Sequence, residues 1–296
     1  MPPTEHPLTA SPPTVGILFP GEMGSTVGRL LLERGARVVT TLEGRSDRSR
    51  RLCLDAGLEV LDSLAAVVEA SNVLVSVVTP AAATTVAERV AAALPTRPGR
   101  TIYVDLNAVS PTTMSMVASI LDRPDVDVVD ASIHGLASRL IAHGTIYLSG
   151  PAAPDVAALI GTPPRTVLLG PEVGRASLMK MLIGGVNKGL VALLLELSEV
   201  ALEYGVLDEF WGICRASYPG VMEPFERLLP TYPAHIERRG EEMAELELTE
   251  STAGKQPIMA AAVRALFLRA STSRTAMETL ADRILATRAT GARADA

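Results

Sequence analysis

The chain has 296 residues, enough for two domains of ordinary size, and 48% are hydrophobic against 20% charged, a composition that builds packed cores and excludes a disordered chain. Acidic residues number 33 against 27 basic ones, for a formal net charge of -6, which argues against a general nucleic-acid or anionic-membrane binder. Two cysteines, Cys53 and Cys214, exclude a disulfide framework and a cysteine-rich zinc site. The four scattered histidines (His6, His134, His143, His235) form no helical pair at ligand spacing, so no metal is expected.

In chain order, residues 1–13 are proline-rich, with neither a basic start nor an apolar run, and read as a flexible tail rather than a targeting signal. From Val15 to Gly170 short β-branched runs alternate with Ala/Leu-rich stretches. Strands are expected at 15–19, 37–42, 59–61, 73–78, 102–106, 126–133 and 146–148, and helical crossovers such as 82–93 lie between them. Continuous apolar runs such as Val73-Leu74-Val75 suit strands covered on both faces. Beyond Gly170 the pattern turns helical. One long helix is expected over 176–204, with further helices to about 287 and no strand, and 290–296 reads as a frayed tail. The most apolar stretch, 190–202, is interrupted by Glu196 and Glu199 and reads as too short to cross a bilayer; with free cysteines, a soluble cytoplasmic protein without membrane contact is expected.

The first strand runs directly into Phe19-Pro20-Gly21-Glu22-Met23-Gly24-Ser25, with helix expected from Thr26. In a strand–turn–helix context Gly21 leaves room for a pyrophosphate, Gly24 lets the helix lie close to the strand, and N–H groups at the helix start face the phosphates. Phe19 stands in place of the first glycine of this fingerprint. Gly21, Glu22, Met23 and Gly24 are therefore cofactor-binding candidates. After the second strand two readings compete. Glu43 stands where an acid would hold the ribose 2′-hydroxyl of NAD, whereas Arg45 and Ser46, with Arg48, Arg50 and Arg51 behind them, suit a 2′-phosphate. Four cations beside one acid favour NADP, with NAD as the alternative. Thr79 and Asn107 end later strands at the same edge and are expected as cofactor neighbours. Ser110-Pro111 has the form of a helix cap.

Only three of the 27 basic residues are lysines, and two of those lie in the long helix. Lys180, Gly184 and Asn187 share one helical face, and paired glycines inside a helix call for a close approach. Lys180, set among Met, Leu and Ile, is either a proton carrier with a lowered pKa or a lysine whose stem packs while its head reaches water; on composition alone the second is the commoner outcome. Lys188 reads as an anion contact or a surface charge. Arg238 and Arg239 could meet a substrate carboxylate, although Arg238 with Glu242 is also an ordinary i,i+4 pair.

Taken together, these residues resemble the β-hydroxyacid dehydrogenase family, which includes 3-hydroxyisobutyrate and 6-phosphogluconate dehydrogenases. The likeness runs through Met23-Gly24, through Gly44-Arg45-Ser46, through Asp105 to Pro111, through Asp130-Ala131-Ser132-Ile133-His134-Gly135 with Gly144-Thr145, and through Gly170 to Gly184. It implies an α/β Rossmann-type doubly wound sheet as an NAD(P)-binding domain over 14–170, followed by an all-α substrate and dimerisation domain over 171–289. It places Lys180 on the family's catalytic lysine, and His134, Gly135, Gly184 and Asn187 at a small-molecule substrate. It further implies NADP as cofactor and a homodimer through the helical domain. Ile183 and Gly184 depart from the family's asparagine pair, His134 from its serine and Leu136 from its glycine, and the closer likeness is to a bacterial branch with Pro-Gly-Glu-Met-Gly in the turn. The activity implied is hydride transfer between NADP(H) and a small hydroxy acid or its keto form. A C=N (imine) reductase and a non-catalytic NADP-binding protein are the alternatives.

Overall fold

A computed structural model describes residues 12–95 and 99–291. The tail expected over 1–13 lies outside the described residues except for its last two positions, as does the tail over 290–296 from 292 onward. Eight strands form one sheet: β1 (Thr14–Leu18), β2 (Arg37–Thr41), β3 (Glu59–Leu61), β4 (Val73–Ser76), β5 (Thr101–Asp105), β6 (Val126–His134), β7 (Thr145–Ser149) and β8 (Arg165–Leu168). Their order is β3-β2-β1-β4-β5-β6-β7-β8. The first six run parallel; β7 turns back antiparallel to β6, and β8 runs parallel to β7. The chain leaves β1 toward one edge and returns through β4 toward the other, so its topological switch lies between the carboxyl ends of β1 and β4.

The crossovers are α1 (Glu22–Glu33), α2 (Asp47–Asp55), α3 (Leu64–Ala70), α4 (Ala83–Ala93) and α5 (Pro111–Ile120), with a short α6 (Leu140–His143) and α7 (Ala153–Ile160) among the later strands. Period-two alternation explains the continuous apolar runs. Val15, Ile17, Val73, Val75, Ile102 and Val104 point to the face covered by α1 and α7, while Leu18, Leu74 and Tyr103 point to the face covered by α3, α4 and α5. All seven expected strands are present. β8 was not expected: it is a four-residue edge strand with no buried residue, so its sequence carries no core pattern. Helix α1 begins at Glu22, earlier than Thr26, which puts Met23 and Gly24 inside its first turn.

The long helix α8 (Arg175–Glu203) is followed by α9 (Leu207–Ser217), α10 (Pro219–Leu228), α11 (Tyr232–Thr252), α12 (Ile258–Ser271) and α13 (Arg274–Gly291), with no strand after β8 among the described residues. One compact unit ends at Met181 and a second begins at Leu182. In the second unit Trp211 is fully buried, stacks on Phe225 at 5.2 Å and donates to Ser198 Oγ at 3.1 Å; Tyr232 meets Phe267 edge-on at 5.8 Å. Helix α8 has 29 residues and, contrary to the reading of its apolar stretch, is long and apolar enough by length and composition to cross a membrane. Its construction is that of a helix in a folded domain, since Lys188 within it is buried and ion-paired to Glu242 of α11 at 2.7 Å.

Candidate functional site

The candidate residues of the first unit gather at the carboxyl edge of the sheet. At the end of β1, Phe19 adopts a left-handed backbone, φ +49°, the conformation that explains why a glycine is usual there. Gly21 is the N-cap of α1, and its carbonyl accepts the first helical bond from Ser25 N–H at 2.9 Å. A Cβ built on Gly21 would meet no protein atom, so whatever its missing side chain makes room for lies outside the protein. At Gly24 the reason is internal, because a Cβ would come within 2.9 Å of Pro20 and 3.4 Å of Ile17. Thus the helix start is seated against the strand by Gly24 and left open by Gly21. The leading N–H groups of a helix start and the positive end of the helix dipole suit an anion.

At the end of β2 the arginines part company. Arg48 reaches Glu22 at 3.2 Å, and Arg50 donates weakly to the Leu42 carbonyl at 3.4 Å. Arg45 makes one long contact to Ser49 Oγ at 3.4 Å, and its Nε is buried with no acceptor. Ser46 caps α2 by accepting from Ser49 N–H at 3.3 Å, so its oxygen serves the helix as well as any ligand. Glu43 is met by Arg89 of α4 at 3.8 Å, and the Arg89 guanidinium lies 4.9 Å from the Phe19 ring centroid. Sequence reading missed Arg89; a lone arginine on an alanine-rich helix carries no positional signal.

Between β4 and β5, Asn107 departs from the expectation of a cofactor ligand. It is buried; its amide donates to Ser76 Oγ at 3.1 Å and to Asp105 Oδ2 at 2.8 Å, and its carbonyl accepts from Val78 N–H at 2.6 Å. Both amide protons are consumed by the protein, so Asn107 shapes the turn before Thr79 instead of reaching outward. Thr79 is exposed and precedes a short 3-10 turn without capping it through its side chain. Ser110 caps α5, accepting from Thr113 N–H at 3.1 Å. Beneath this turn Asp105 is buried. Burial pushes its pKa up to about 7 against the opposing pull of the Asn107 N–H, and the charge of Asp130, its register partner on β6, adds to the rise.

The end of β6 receives the start of α8. Asp130 is buried and accepts from Gly174 N–H at 2.9 Å, Ser177 N–H at 3.0 Å, Ser177 Oγ at 2.7 Å and Ser149 Oγ at 3.0 Å. Ser132 donates to the Ala176 carbonyl at 2.8 Å. Lys180, half-buried one turn further along, donates through Nζ to the Ile133 carbonyl at 2.6 Å. Its head is therefore held at the carboxyl end of β6 rather than trailing into water. The next residue, His134, is exposed; desolvation lowers its pKa from the usual histidine value, with the Lys180 cation adding to the fall. Gly135 follows with φ +145°, and a Cβ there would press on Gly144 Cα at 3.2 Å. The structure thus brings Lys180, His134 and Gly135 together. The ends of β1 and β6 are three strand spacings apart in the sheet, about 14 Å.

Gly184 and Asn187 belong to the second unit. Asn187 is half-buried. The paired glycines have an internal cause: a Cβ on Gly185 would come within 2.7 Å of Leu246, and one on Gly184 within 3.0 Å of Lys188 Nζ. The space at Gly184 is thus occupied by a lysine head, which differs from the substrate contact expected there. Lys188 is likewise neither a surface charge nor an open anion contact, being buried on Glu242. Arg238 forms the i,i+4 pair with Glu242 at 3.6 Å, and Arg239 packs on Tyr232 at 3.5 Å from the ring centroid and donates to Thr231 Oγ1 at 2.8 Å.

These features fit a dinucleotide on the observations of the Gly21 gap and the unmatched, buried Arg45 Nε. Comparison with known proteins agrees. Residues 14–158 match the model of the NAD binding domain of 6-phosphogluconate dehydrogenase, and residues 201–270 match a domain of unknown function. A conserved protein of unknown function, described as structurally similar to 3-hydroxyacid dehydrogenases, is 29% identical, with 90% of this chain and 99% of that one covered at a TM-score of 0.66. The Mycobacterium tuberculosis 3-hydroxyisobutyrate dehydrogenase with L-serine is 14% identical, covering 93% and 99%, with a TM-score of 0.71. The Aspergillus terreus reductive aminase with NADPH and ethyl levulinate is 18% identical, covering 92% and 99%, with a TM-score of 0.61. The last two likenesses establish the fold.

Proposed function

We propose that the chain is a cytoplasmic NADP-dependent enzyme that interconverts a small hydroxy acid and its keto form, a reading supported by the match of residues 14–158 to the NAD binding domain of 6-phosphogluconate dehydrogenase. The observation that carries this reading is the Lys180 amine held 2.6 Å from the Ile133 carbonyl, on the same sheet edge as the Gly21 turn and Arg45. The Gly21-Glu22-Met23-Gly24 turn takes the pyrophosphate, Arg45 takes the 2′-phosphate, and Thr79 borders the cofactor. When bound, the nicotinamide gives or receives the hydride. Lys180 moves the proton: its amine accepts the hydroxyl proton during oxidation, and its ammonium returns it to the carbonyl oxygen during reduction. The Ile133 carbonyl fixes the amine in position for both. His134, whose pKa is lowered by desolvation and by Lys180, offers the substrate a hydrogen bond, and Gly135 lets the chain turn closely past Gly144 beside it. Asn187 is assigned to the substrate side on the resemblance. A homodimer through the helical domain belongs to the same reading, supported by an exposed apolar stripe on α8.

Imine reduction is the second reading, favoured by the likeness in fold to the Aspergillus terreus reductive aminase and opposed by Lys180 itself. Replacing Lys180 by Met separates the two. The dehydrogenase reading expects NADPH binding, followed by fluorescence, to be retained while turnover on a panel of hydroxy and keto acids falls by roughly 10²- to 10⁴-fold. Unchanged imine reduction in K180M would establish the second reading, and unchanged oxidation of a hydroxy acid would remove Lys180 from the chemistry.

A further inference from the structure

Phe19 and Arg89 have no part in the chemistry above, yet both occupy costly or unexpected positions at the cofactor edge. Phe19 holds a left-handed backbone that glycine adopts freely, and it sits where the fingerprint has glycine. Its ring is buried, at 8% exposure, and carries the Arg89 guanidinium 4.9 Å from its centroid. Arg89 in turn lies 3.8 Å from Glu43, the acid at the end of β2. Both members of that ion pair are about half exposed, so it contributes little to stability and its geometry calls for another reason. Two residues beyond Glu43 is Arg45, whose buried Nε has no acceptor.

The charges give the reason. An unmasked carboxylate at Glu43 would accept a ribose diol and repel a 2′-phosphate. With Arg89 beside it, the charge of Glu43 is offset, and Arg45, which contacts Ser49 Oγ and, among the described residues, no carboxylate, keeps its charge at this end of the cleft. We propose that the Phe19 ring and Arg89 form a cofactor selector: the ring holds the guanidinium, the guanidinium masks Glu43, and the masked acid lets Arg45 take the 2′-phosphate of NADP(H). This deepens the proposed function and rests on its dinucleotide reading. Phe19 and Arg89 are positioning residues here; Arg45 is the residue that meets the phosphate.

The test is calorimetric binding of NADP⁺ and of NAD⁺, each measured separately, to the wild-type chain and to R89A, E43Q, R89A/E43Q and F19G. Wild type is expected to prefer NADP⁺. R89A is expected to lose about ten-fold in that preference, and the double variant to regain most of it, because removing the carboxylate removes what Arg89 masked. E43Q alone keeps the preference. F19G, at ease in the same backbone conformation, is expected to lose preference in the direction of R89A. A merely structural Arg89 would not be rescued by E43Q. Should R89A leave the ratio of the two affinities unchanged, or should the double variant fail to recover, the selector is overturned while the dinucleotide reading stands. A wild-type chain that prefers NAD⁺ overturns it in the same way, and one that binds neither cofactor overturns both.

Discussion

Asp105 shows what a single buried carboxyl does to this protein. It lies beneath the turn that Asn107 shapes, and burial raises its pKa to about 7, while the unfolded chain ionises near 4. Between those values the folded state holds the proton more tightly than the unfolded state, so stability falls as pH rises from about 4 to about 7 and the loss is complete above that range. The expected loss from this group is on the order of a few kcal/mol. Thermal unfolding of wild type and Asp105→Asn across that range checks it: the wild-type midpoint should fall relative to the variant as pH rises, and parallel curves would refute the assignment. Asp130, its register partner, is also raised by burial, and comparing the two chains isolates the Asp105 part. Lys180 was singled out in the sequence because lysines are scarce in this chain, but its role came from the resemblance, since composition alone favoured a lysine whose head reaches water. The role of Asn107 was not legible, because its partners Ser76 and Val78 come from a different strand end.

At the level of elements, the first turn of α8 is built from outside itself. Its leading N–H groups are accepted by Asp130, a strand residue far away in sequence, rather than by a local cap, and a carboxylate there also meets the positive end of the helix dipole. Ser132, Ser149 and Lys180 add further ties between the same helix start and β6 or β7. Replacing Asp130 by Ala leaves two backbone N–H groups and two hydroxyls without their buried acceptor. Chemical denaturation should register a loss of roughly 3–5 kcal/mol, with Ser132→Ala costing about 1 kcal/mol. A loss below about 1 kcal/mol for the Asp130 variant would mean that other groups or water replace it. Because Lys180 stands on this helix start, the same bonds position the proposed proton carrier.

For the whole molecule, α8 leaves Leu182, Val186, Leu190, Leu193, Leu197 and Val200 exposed at spacings of three and four, a single apolar stripe along one side. A contiguous stripe of this kind marks an interface, and the proposed occupant is a second copy. Leu193→Glu should convert the dimer to monomer in sedimentation equilibrium at micromolar concentration without loss of helical circular dichroism. A wild-type chain that sediments as a monomer ends the dimer proposal.

Taken by itself, the sequence determined what depends on local pattern. The alternating and continuous apolar runs placed seven of the eight strands, the loss of β-branched runs after Gly170 marked the change to helix, and Gly21 with Gly24 marked the turn between the first strand and its helix. Ser110 before Pro111 announced its cap in the same way. What tertiary structure alone decided is where side chains distant in sequence meet. Lys188 read as an anion contact or a surface charge until Glu242 on another helix was brought to it; the paired Gly184 and Gly185 called for a close approach, and only the fold shows that Lys188 and Leu246 make it. The pairing of Arg89 with Phe19 and Glu43 likewise joins three elements. Periodicity reports only whether a side chain faces the core or water. The partner it finds there is set by how the chain returns, and that information is not carried by any one segment.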